Sequence, residues 1–445
     1  ATERLAEFRS LHPGSTARPD TSKLLPQTED RDRQADRIEL LRSRLSGLGP
    51  VSSRQLAADF DLESTQIEQA LIALQTQGYA IRMSEADRGP GTTNGQEKSQ
   101  TWCERRLLAR IHRYSREKRR KASRPVAPAA YMRFLLDWHG LDEPAGELEQ
   151  VLALLEGWPA PVAAWEQGLL ASRCADYSPQ RLDEQFLSGH VTWFRPLNSA
   201  RDQQLLVAAT PIAIVPRQNT LAWQSPEPEM PQVPDGAASR LLGLLEKSGA
   251  MFSDDLEQQS GLMRTHFEQA RALLVAQGLF TADAFSPLRW LIRPEASKRK
   301  REKALRRRGM SGRRIAGNGL LGRWSAISGD SGGSTRGAMS GQALLATQCE
   351  ALLRRYGVVF RAVLERESLL QPWRNLLRYL RRMEDRGEVH GGRFVDGFSG
   401  EQFALPEAAG LLRRHSASPA GHTLKVINAT DPVSYTHLRA HETER

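Results

Sequence analysis

The sequence contains only three cysteines, Cys103, Cys174 and Cys349, in 445 residues. Three widely spaced cysteines without a CxxC pair exclude both a disulfide framework and a cysteine-based zinc site. We therefore predict a reducing compartment, the cytoplasm. The sequence also has no signal peptide and no apolar run of membrane-spanning length, so it predicts no membrane partner.

Motifs of nucleotide hydrolysis and metal catalysis are absent as well. No GxxxxGK[ST] string occurs, and the closest candidate, residues 91–96, lacks the lysine that must follow the second glycine to reach a phosphate. HExxH, GxSxG and Cys/His clusters are also missing. We therefore predict no catalytic residue, no metal site and no cofactor in this chain.

The sequence does contain an internal repeat. Residues 49–78 align without a gap with residues 249–278, at a constant offset of 200. Leu56, Leu74 and Gly78 are among the residues that recur 200 positions later. A repeat of this length indicates that one supersecondary unit is used more than once.

The first copy predicts a helix-turn-helix followed by a hairpin. Apolar residues at helical spacing predict three helices between residues 38 and 74. Gly78 suits the left-handed position that ends a helix. The alternation over 79–83 predicts a strand, the polar run 84–99 a wing, and 100–102 its return strand. This arrangement is a winged helix, a unit whose second motif helix usually meets the DNA major groove.

Weaker copies of the pattern occur over residues 126–155, 161–194 and 354–403. We therefore predict a mainly α fold with small β-hairpins, built from about five tandem winged helices. Boundaries are predicted where Pro, Gly and Ser cluster. The predicted order is the tail of an upstream domain or a linker (1–34), winged helix 1 (35–103), winged helix 2 (104–150), winged helix 3 with short strands (151–223), a Pro-rich linker (224–236), winged helix 4 (237–293), a basic Gly/Ser-rich linker (294–340) and winged helix 5 (341–416).

The formal charge of +10 is concentrated in two blocks. Glu104–Arg124 has a net charge of +8 and Lys298–Arg323 a net charge of +10, so the rest of the chain carries −8. Local positive charge on a mildly acidic body favours binding to a polyanion. The alternative is that these runs are solvated helix faces or linkers. It remains open for the second block, whereas the spacing of Leu107, Leu108 and Ile111 predicts an ordered helix in the first.

Candidate DNA contacts follow from the charge blocks and from the predicted recognition helices. Arginine binds phosphate in a bidentate manner, and an aromatic ring can stack on an unpaired base. Trp373 lies at a helix start, where packing into the core is the alternative. The predicted DNA-binding residues are Arg105, Arg106, Arg110, Arg113, Arg119, Arg120, Lys121, Arg264, Arg271, Arg306, Arg307, Arg308, Trp373, Arg374, Arg378, Arg381 and Arg382.

Several strings resemble the post-motor region of the large helicase-related (Lhr) family of superfamily 2 DNA helicases. They are TWCERRLLARIHRY (101–114), VAPAAYMRFLLDWHGL (126–141), LLASRCADYSPQRLDEQFLSGHVTWFRP (169–196), RYGVVFRAVLERE (355–367) and GGRFVDGFSGEQFALPEA (391–408). The resemblance covers roughly residues 35–432. It implies an upstream ATP-dependent 3′-to-5′ motor using ATP and Mg, then tandem winged helices, then a β-barrel-like module. Both motor domains are absent from this sequence.

The same resemblance places a break near the end of the chain. Residues 417–432 look like the start of the β-module, so we predict a fold truncated before that module. Residues 433–445 resemble one reading frame of a sequencing-library adapter, which predicts a non-native tail. The alternative is a divergent polar tail.

Three functions remain open at this stage. The first is a DNA-binding accessory region of an Lhr-type repair helicase, whose partners are single-stranded or forked DNA and the upstream motor domains, and which acts at the bacterial nucleoid. The second is a DNA glycosylase-like module, because the layout resembles a bacterial family that unhooks crosslinks; the glutamine-rich catalytic motif of that family has no counterpart here. The third is a scaffold that joins protomers into a homo-oligomer.

Overall fold

The computed structural model describes residues 4–15, 32–83, 101–196, 206–224, 236–307, 322–327, 339–417 and 425–434. The chain divides into two compact units, Ala1–Arg119 and Arg120–Arg445.

The first unit contains one winged helix. Its elements are α1 (Leu5–Leu11), α2 (Arg33–Leu45), β1 (Val51–Ser52), α3 (Ser53–Phe60), α4 (Ser64–Thr76), β2 (Ala80–Met83), β3 (Thr101–Glu104) and the greater part of α5 (Arg105–Ala122). Leu45, Leu56, Leu71 and Trp102 are buried in one core, because the apolar faces of α2, α3 and α4 pack on the inner face of the sheet. The predicted tail over residues 1–34 includes α1, which packs against α2.

The second unit contains three further modules of the same kind. Helix α6 (Pro128–Trp138) precedes all three in the sequence. The first of them comprises α7 (Leu148–Leu154), β4 (Ala160–Pro161), α8 (Val162–Ala164) with a π-helical turn (Trp165–Leu170), α9 (Pro179–Leu187), β5 (Val191–Phe194), β6 (Pro211–Pro216), a 3-10 turn (Arg217–Asn219) and α10 (Thr220–Trp223). The next comprises α11 (Ala237–Ser248), β7 (Met251–Phe252), α12 (Ser253–Ser260), α13 (Arg264–Ala276), β8 (Phe280–Ala282), α14 (Ser286–Leu291), α15 (Glu295–Arg307) and β9 (Arg323–Ala326). The last comprises α16 (Gly341–Tyr356), β10 (Val358–Val359), a 3-10 turn (Arg361–Leu364), α17 (Trp373–Asp385), β11 (His390–Gly392), β12 (Gln402–Ala404) and α18 (Pro406–Ala417).

All four modules share one sheet topology. Each has a three-stranded antiparallel sheet in which the third strand lies between the first two, in the orders β1-β3-β2, β4-β6-β5, β7-β9-β8 and β10-β12-β11. In the first module Val51 pairs with Trp102, and in the third Met251 pairs with Trp324. Both tryptophans are buried, so each central strand anchors its sheet to the helices beneath it.

The repeat seen in the sequence is also a repeat in the structure. β1, α3 and α4 have the same bounds as β7, α12 and α13 shifted by 200 residues. The turn between the two motif helices begins in the left-handed region in both copies, at Asp61 (φ 51°) and Gly261 (φ 62°). Glycine adopts this conformation freely and aspartate is one of the few other residues that tolerate it.

The structure differs from the sequence prediction in the number of modules. Four winged-helix sheets occur among the described residues, rather than five, and the segment 104–150 contributes helices to neighbouring modules instead of a sheet of its own. Phe134 and Leu135 of α6 are buried in the core of the last module. Val126, just before α6, forms a parallel bridge with Val395.

The predicted linker over residues 294–340 contains ordered elements as well. It includes all of α15 and all of β9, whose Trp324 is fully buried. Of the predicted Pro-rich linker, residues 225–235 lie outside the described residues.

The predicted start of a β-module is not a strand in the part that the structure describes, residues 425–434. That segment makes a turn and a short helical run. Asp431 and Val433 are buried, so packing extends to Val433, the first residue of the predicted non-native tail. Residues 435–445 lie outside the described residues.

Candidate nucleic-acid interface

The four modules differ most in the helix that follows the helix-turn-helix turn, which is the recognition helix of such a motif. These recognition helices are α4, α9, α13 and α17. α4 contains no lysine or arginine. In α9 the one arginine, Arg181, forms ion pairs with Asp176 and Glu147. Only α17 presents several arginines to solvent.

α17 has a sharply two-sided sequence. Leu376, Leu380 and Met383 recur at helical spacing and are buried in the core of the last module. Pro372 precedes the helix without needing a backbone N–H, and Gly387, with φ of 80°, follows its end. The arginines therefore fall on the opposite face, which remains in water.

Three arginines on this face have no ion-pair partner among the described residues: Arg374, Arg378 and Arg382. All three are exposed. Arg378 donates through Nη2 to Asn375 Oδ1 at 2.7 Å, a neutral partner that leaves its charge uncompensated. Arg378 and Arg382 lie four positions apart and so stand one above the other on the helix. We define Arg374, Arg378 and Arg382 as the α17 arginine row.

Two predicted contacts on or near α17 have other roles. Arg381 forms an ion pair with Glu401, Nη2 to Oε2 at 2.7 Å. Trp373 is half-buried and packs against the core of the module, which agrees with the packing alternative.

Arg120, predicted to bind DNA, is held by carboxylates instead. Its Nε donates to Glu384 Oε1 at 2.8 Å and its Nη1 donates to Glu401 Oε1 at 2.8 Å. These hydrogen bonds raise its pKa above the ordinary arginine value. A guanidinium already paired with two carboxylates has little left to offer a phosphate, so Arg120 joins the end of α5 to the last module.

Arg271, also predicted to bind DNA, is buried, and only 1% of its surface is exposed. Its guanidinium donates to Ser253 Oγ and lies over the rings of Phe267 and Trp324, at 4.9 and 5.2 Å from their centroids. Burial lowers its pKa to about 10. This side chain cannot reach DNA. On the same helix Arg264 is near the surface but forms an ion pair with Glu268 at 3.5 Å.

The first basic block forms the ordered helix α5, as its spacing predicted. Five predicted residues of this block are exposed: Arg105, Arg106, Arg110, Arg113 and Lys121. The first four belong to the first unit and Lys121 to the second. The side chain of Arg119 lies outside the described residues.

The second basic block begins as the helix α15. Arg307 is exposed, whereas Lys298 is buried and donates to the carbonyl of Leu291 at 3.3 Å. The side chain of Arg306 and all of Arg308 lie outside the described residues.

Sequence reasoning missed a buried polar cluster in the second unit. Arg173 donates to both carboxylate oxygens of Asp431, at 2.7 and 2.9 Å, and also to Nδ1 of His139 at 2.9 Å. Nε2 of His139 lies 2.8 Å from the carbonyl oxygen of Arg355. His139 therefore accepts at Nδ1 and donates at Nε2, which is possible only for a neutral ring. Burial, reinforced by the charge of Arg173, lowers the pKa of His139 to about 3.

The cluster is structural, because it ties α6 and the π-helical turn to the segment after α18. Its members lie far apart in the sequence. The only signal that could have indicated the cluster is the pairing of Arg173 with the distant Asp431. Within the described part of the chain, no group of three or more His, Cys, Asp or Glu side chains is placed to hold a metal ion. In the same residues no helix has the length and apolarity needed to cross a membrane.

Two family models match the chain. Both describe a winged-helix domain of the large helicase-related protein, the third over residues 126–216 and the fourth over residues 339–424. A relative from Escherichia coli (strain K12), named "Lhr helicase/uracil glycosylase", is 26% identical over 422 residues, which cover 86% of this chain and 26% of the relative. The chain is thus similar to Lhr proteins over most of its length, and two of its winged helices match Lhr family models.

A second Lhr relative supports the same assignment. The protein from Mycolicibacterium smegmatis (strain ATCC 700084 / mc(2)155), named "Lhr helicase/ probable uracil glycosylase", is 27% identical over 410 residues, which cover 87% of this chain and 25% of the relative. The chain thus spans about a quarter of the length of the curated relatives it matches. The fourth Lhr winged-helix match contains α17 and its arginine row.

Proposed function

We propose that this chain is the DNA-binding accessory region of an Lhr-type ATP-dependent helicase that acts in DNA repair. In this proposal the winged helices hold single-stranded or forked DNA while motor domains elsewhere in the full-length protein, using ATP and Mg, translocate along it. The last module makes the principal contact through the α17 arginine row.

The observation that carries the proposal is the difference among the four recognition helices. Of these helices, α17 alone exposes several guanidinium groups that have no carboxylate partner among the described residues. Each such group can replace a condensed counterion on DNA, and the release of that counterion drives binding. The exposed arginines of α5 would add a second, sequence-independent attraction to phosphate.

The experiment measures the affinity of the chain for labelled single-stranded and forked DNA across a salt series. Arg378→Gln with Arg382→Gln should lower affinity about 10- to 100-fold at low salt and reduce the salt slope by about 2, one for each lost phosphate contact. The matched control is Arg181→Gln with Arg264→Gln, which removes the same charge from two other recognition helices.

The control should bind nearly as well as the unchanged protein, because Arg181 and Arg264 already have carboxylate partners. Equal losses in both double variants would show only a response to net charge, and the assignment to α17 would then fail. Binding that ignores salt in the unchanged protein would argue against a phosphate contact altogether.

A second candidate function is uracil excision, which is suggested by the names of the two relatives. Its test is incubation of the chain with uracil-containing DNA, followed by alkaline cleavage at any abasic site. Base release would place that activity within this chain. Intact DNA, under conditions where binding is saturated, would assign the named activity of the relatives to another part of their sequences.

A further inference from the structure

A half-open groove of about 320 Å³ lies between α16 and α17 of the last module. It is lined by Gly341, Leu344, Leu345, Gln371, Asn375, Arg378, Tyr379 and Arg382. Two members of the α17 arginine row therefore stand at its edge. The volume is at the lower end of the range for sites that bind small organic groups, roughly 300–1,000 Å³.

The lining divides into three kinds of surface. Leu344 and Leu345 of α16 supply an apolar wall, and Gln371 and Asn375 supply side-chain amides. Arg378 and Arg382 supply positive charge, and no lining residue is acidic. A fitting ligand is consequently partly apolar, has polar edges, and is attached to anionic groups.

The backbone at Gln371 and the side-chain amide of Asn375 are held by existing contacts. The backbone N–H of Gln371 donates to Gln348 Oε1 at 2.9 Å, which fixes the start of this wall. Asn375 Oδ1 accepts from Arg378, so its amide orientation is set with the NH2 group available. Neither arrangement requires a ligand to form, and both leave donors at the groove.

We propose that this groove binds one unpaired nucleotide of the DNA, with the base against Leu344 and Leu345 and the neighbouring phosphates on Arg378 and Arg382. This inference rests on the proposed function and adds to it the substrate class, DNA with an unstacked base. An unpaired base can enter a protein cleft, where it contacts apolar surface and presents its polar edges to amides, whereas a base held in a duplex cannot enter such a cleft.

Gly341 makes a selective test possible. A Cβ atom at Gly341 would have no atom within 4 Å, so Gly341→Trp can place an indole ring toward the groove without displacing the backbone. Gly410 of α18 has equally open surroundings but does not line the groove, so Gly410→Trp is the matched control. The probes are a fully paired duplex and the same duplex carrying one unpaired 2-aminopurine.

The unchanged protein and Gly410→Trp should bind the unpaired-base duplex roughly ten-fold more tightly than the paired one, and should raise 2-aminopurine fluorescence. Gly341→Trp should abolish that preference and the fluorescence change while retaining its affinity for the paired duplex. A preference that survives in Gly341→Trp, or is missing in the unchanged protein, overturns the inference.

The arginine variant separates this failure from failure of the proposed function. If Arg378→Gln with Arg382→Gln weakens binding to both duplexes while Gly341→Trp changes neither, DNA binding by α17 stands and the groove does not take part. If the arginine variant changes neither duplex, both the proposed function and the inference are overturned.

Discussion

The recognition helices α13 and α17 both carry arginines that the sequence suggests as DNA contacts, yet only α17 has several that are exposed and lack an ion-pair partner among the described residues. In α13, Arg271 follows Phe267 by four positions and precedes Leu274 by three, so it falls on the buried face. In α17, Arg378 lies two positions from both Leu376 and Leu380, so it falls on the outer face. The role of each arginine is therefore decided by its position around the helix relative to the buried apolar residues, and residue type alone does not decide it.

The internal repeat makes this difference explicit. Arg271 stands 200 residues after Leu71, which is fully buried in the first module. The third module therefore has a cation, Arg271, at the position where the first module has Leu71. Phe267 and Trp324 provide aromatic faces for that cation, and a buried cation over such rings is stabilised by about 2 kcal/mol.

The contrast between buried and exposed charge extends to two ion pairs of the second unit, and it predicts the largest effect on stability. Asp431→Ala would leave Arg173 buried without its partner, and we expect a loss of about 3–5 kcal/mol in the free energy of unfolding. Asp142→Ala breaks the exposed pair with Lys425 and should cost at most about 1 kcal/mol. Denaturant unfolding measures the free energy of unfolding of both variants. Similar losses in the two would show that the buried pair does not stabilise the protein more than the exposed one.

The second prediction tests Arg271 directly. Arg271→Ala should destabilise the protein by about 2–4 kcal/mol through the lost ring contacts and the cavity left behind. Arg271→Leu, which copies the first module, should lose less than about 1.5 kcal/mol because it refills an apolar site. DNA affinity should be unchanged in both variants once they are folded. A salt-dependent loss of DNA binding in Arg271→Leu would contradict the buried assignment.

The smallest predicted effect concerns His139 and acid. Its pKa of about 3 in the folded protein lies below the unfolded value of about 6.5, so the unfolded state takes up a proton first as pH falls. The contribution of the neutral His139 to the free energy of unfolding is complete above about pH 6.5 and is lost between there and about pH 3. At pH 5 the loss amounts to about 2 kcal/mol. Unfolding measured from pH 7 to pH 5 should show this loss.

His139→Gln provides the comparison, since an amide can accept from Arg173 and donate to the carbonyl of Arg355 without titrating. The difference in stability between the two proteins should shrink, or reverse in favour of the variant, as pH falls. A constant difference would show that His139 does not carry the acid sensitivity.

Local pattern was sufficient to predict the winged-helix unit. The helices and the glycine at Gly78 follow from spacing and backbone preference, which act over a few residues. The number of modules was not predictable in this way. α6 has a helical pattern that suits a module of its own, and only its contacts with residues more than 200 positions away, such as the hydrogen bond from Tyr131 to the carbonyl of Val358, assign it to the last one.

The candidate interface shows the same limit. The α17 arginines were found from their helical spacing, and α17 is where the four modules differ. Arg120 was misassigned because its partners, Glu384 and Glu401, are distant in sequence. Arg271 could have been excluded from the repeat itself, because Leu71 in the first copy already marks that position as buried.

The strand order of the modules has a consequence for folding. Because the central strand comes last in each module, no sheet is complete until the chain has returned to insert that strand. In the last module residues 393–401 separate the second and third strands, whereas in the third module residues 283–322 do. The longer closure costs only about 1 kcal/mol more in chain entropy, but it raises the contact order. We therefore expect the third module to assemble more slowly than the last, at little expense in equilibrium stability.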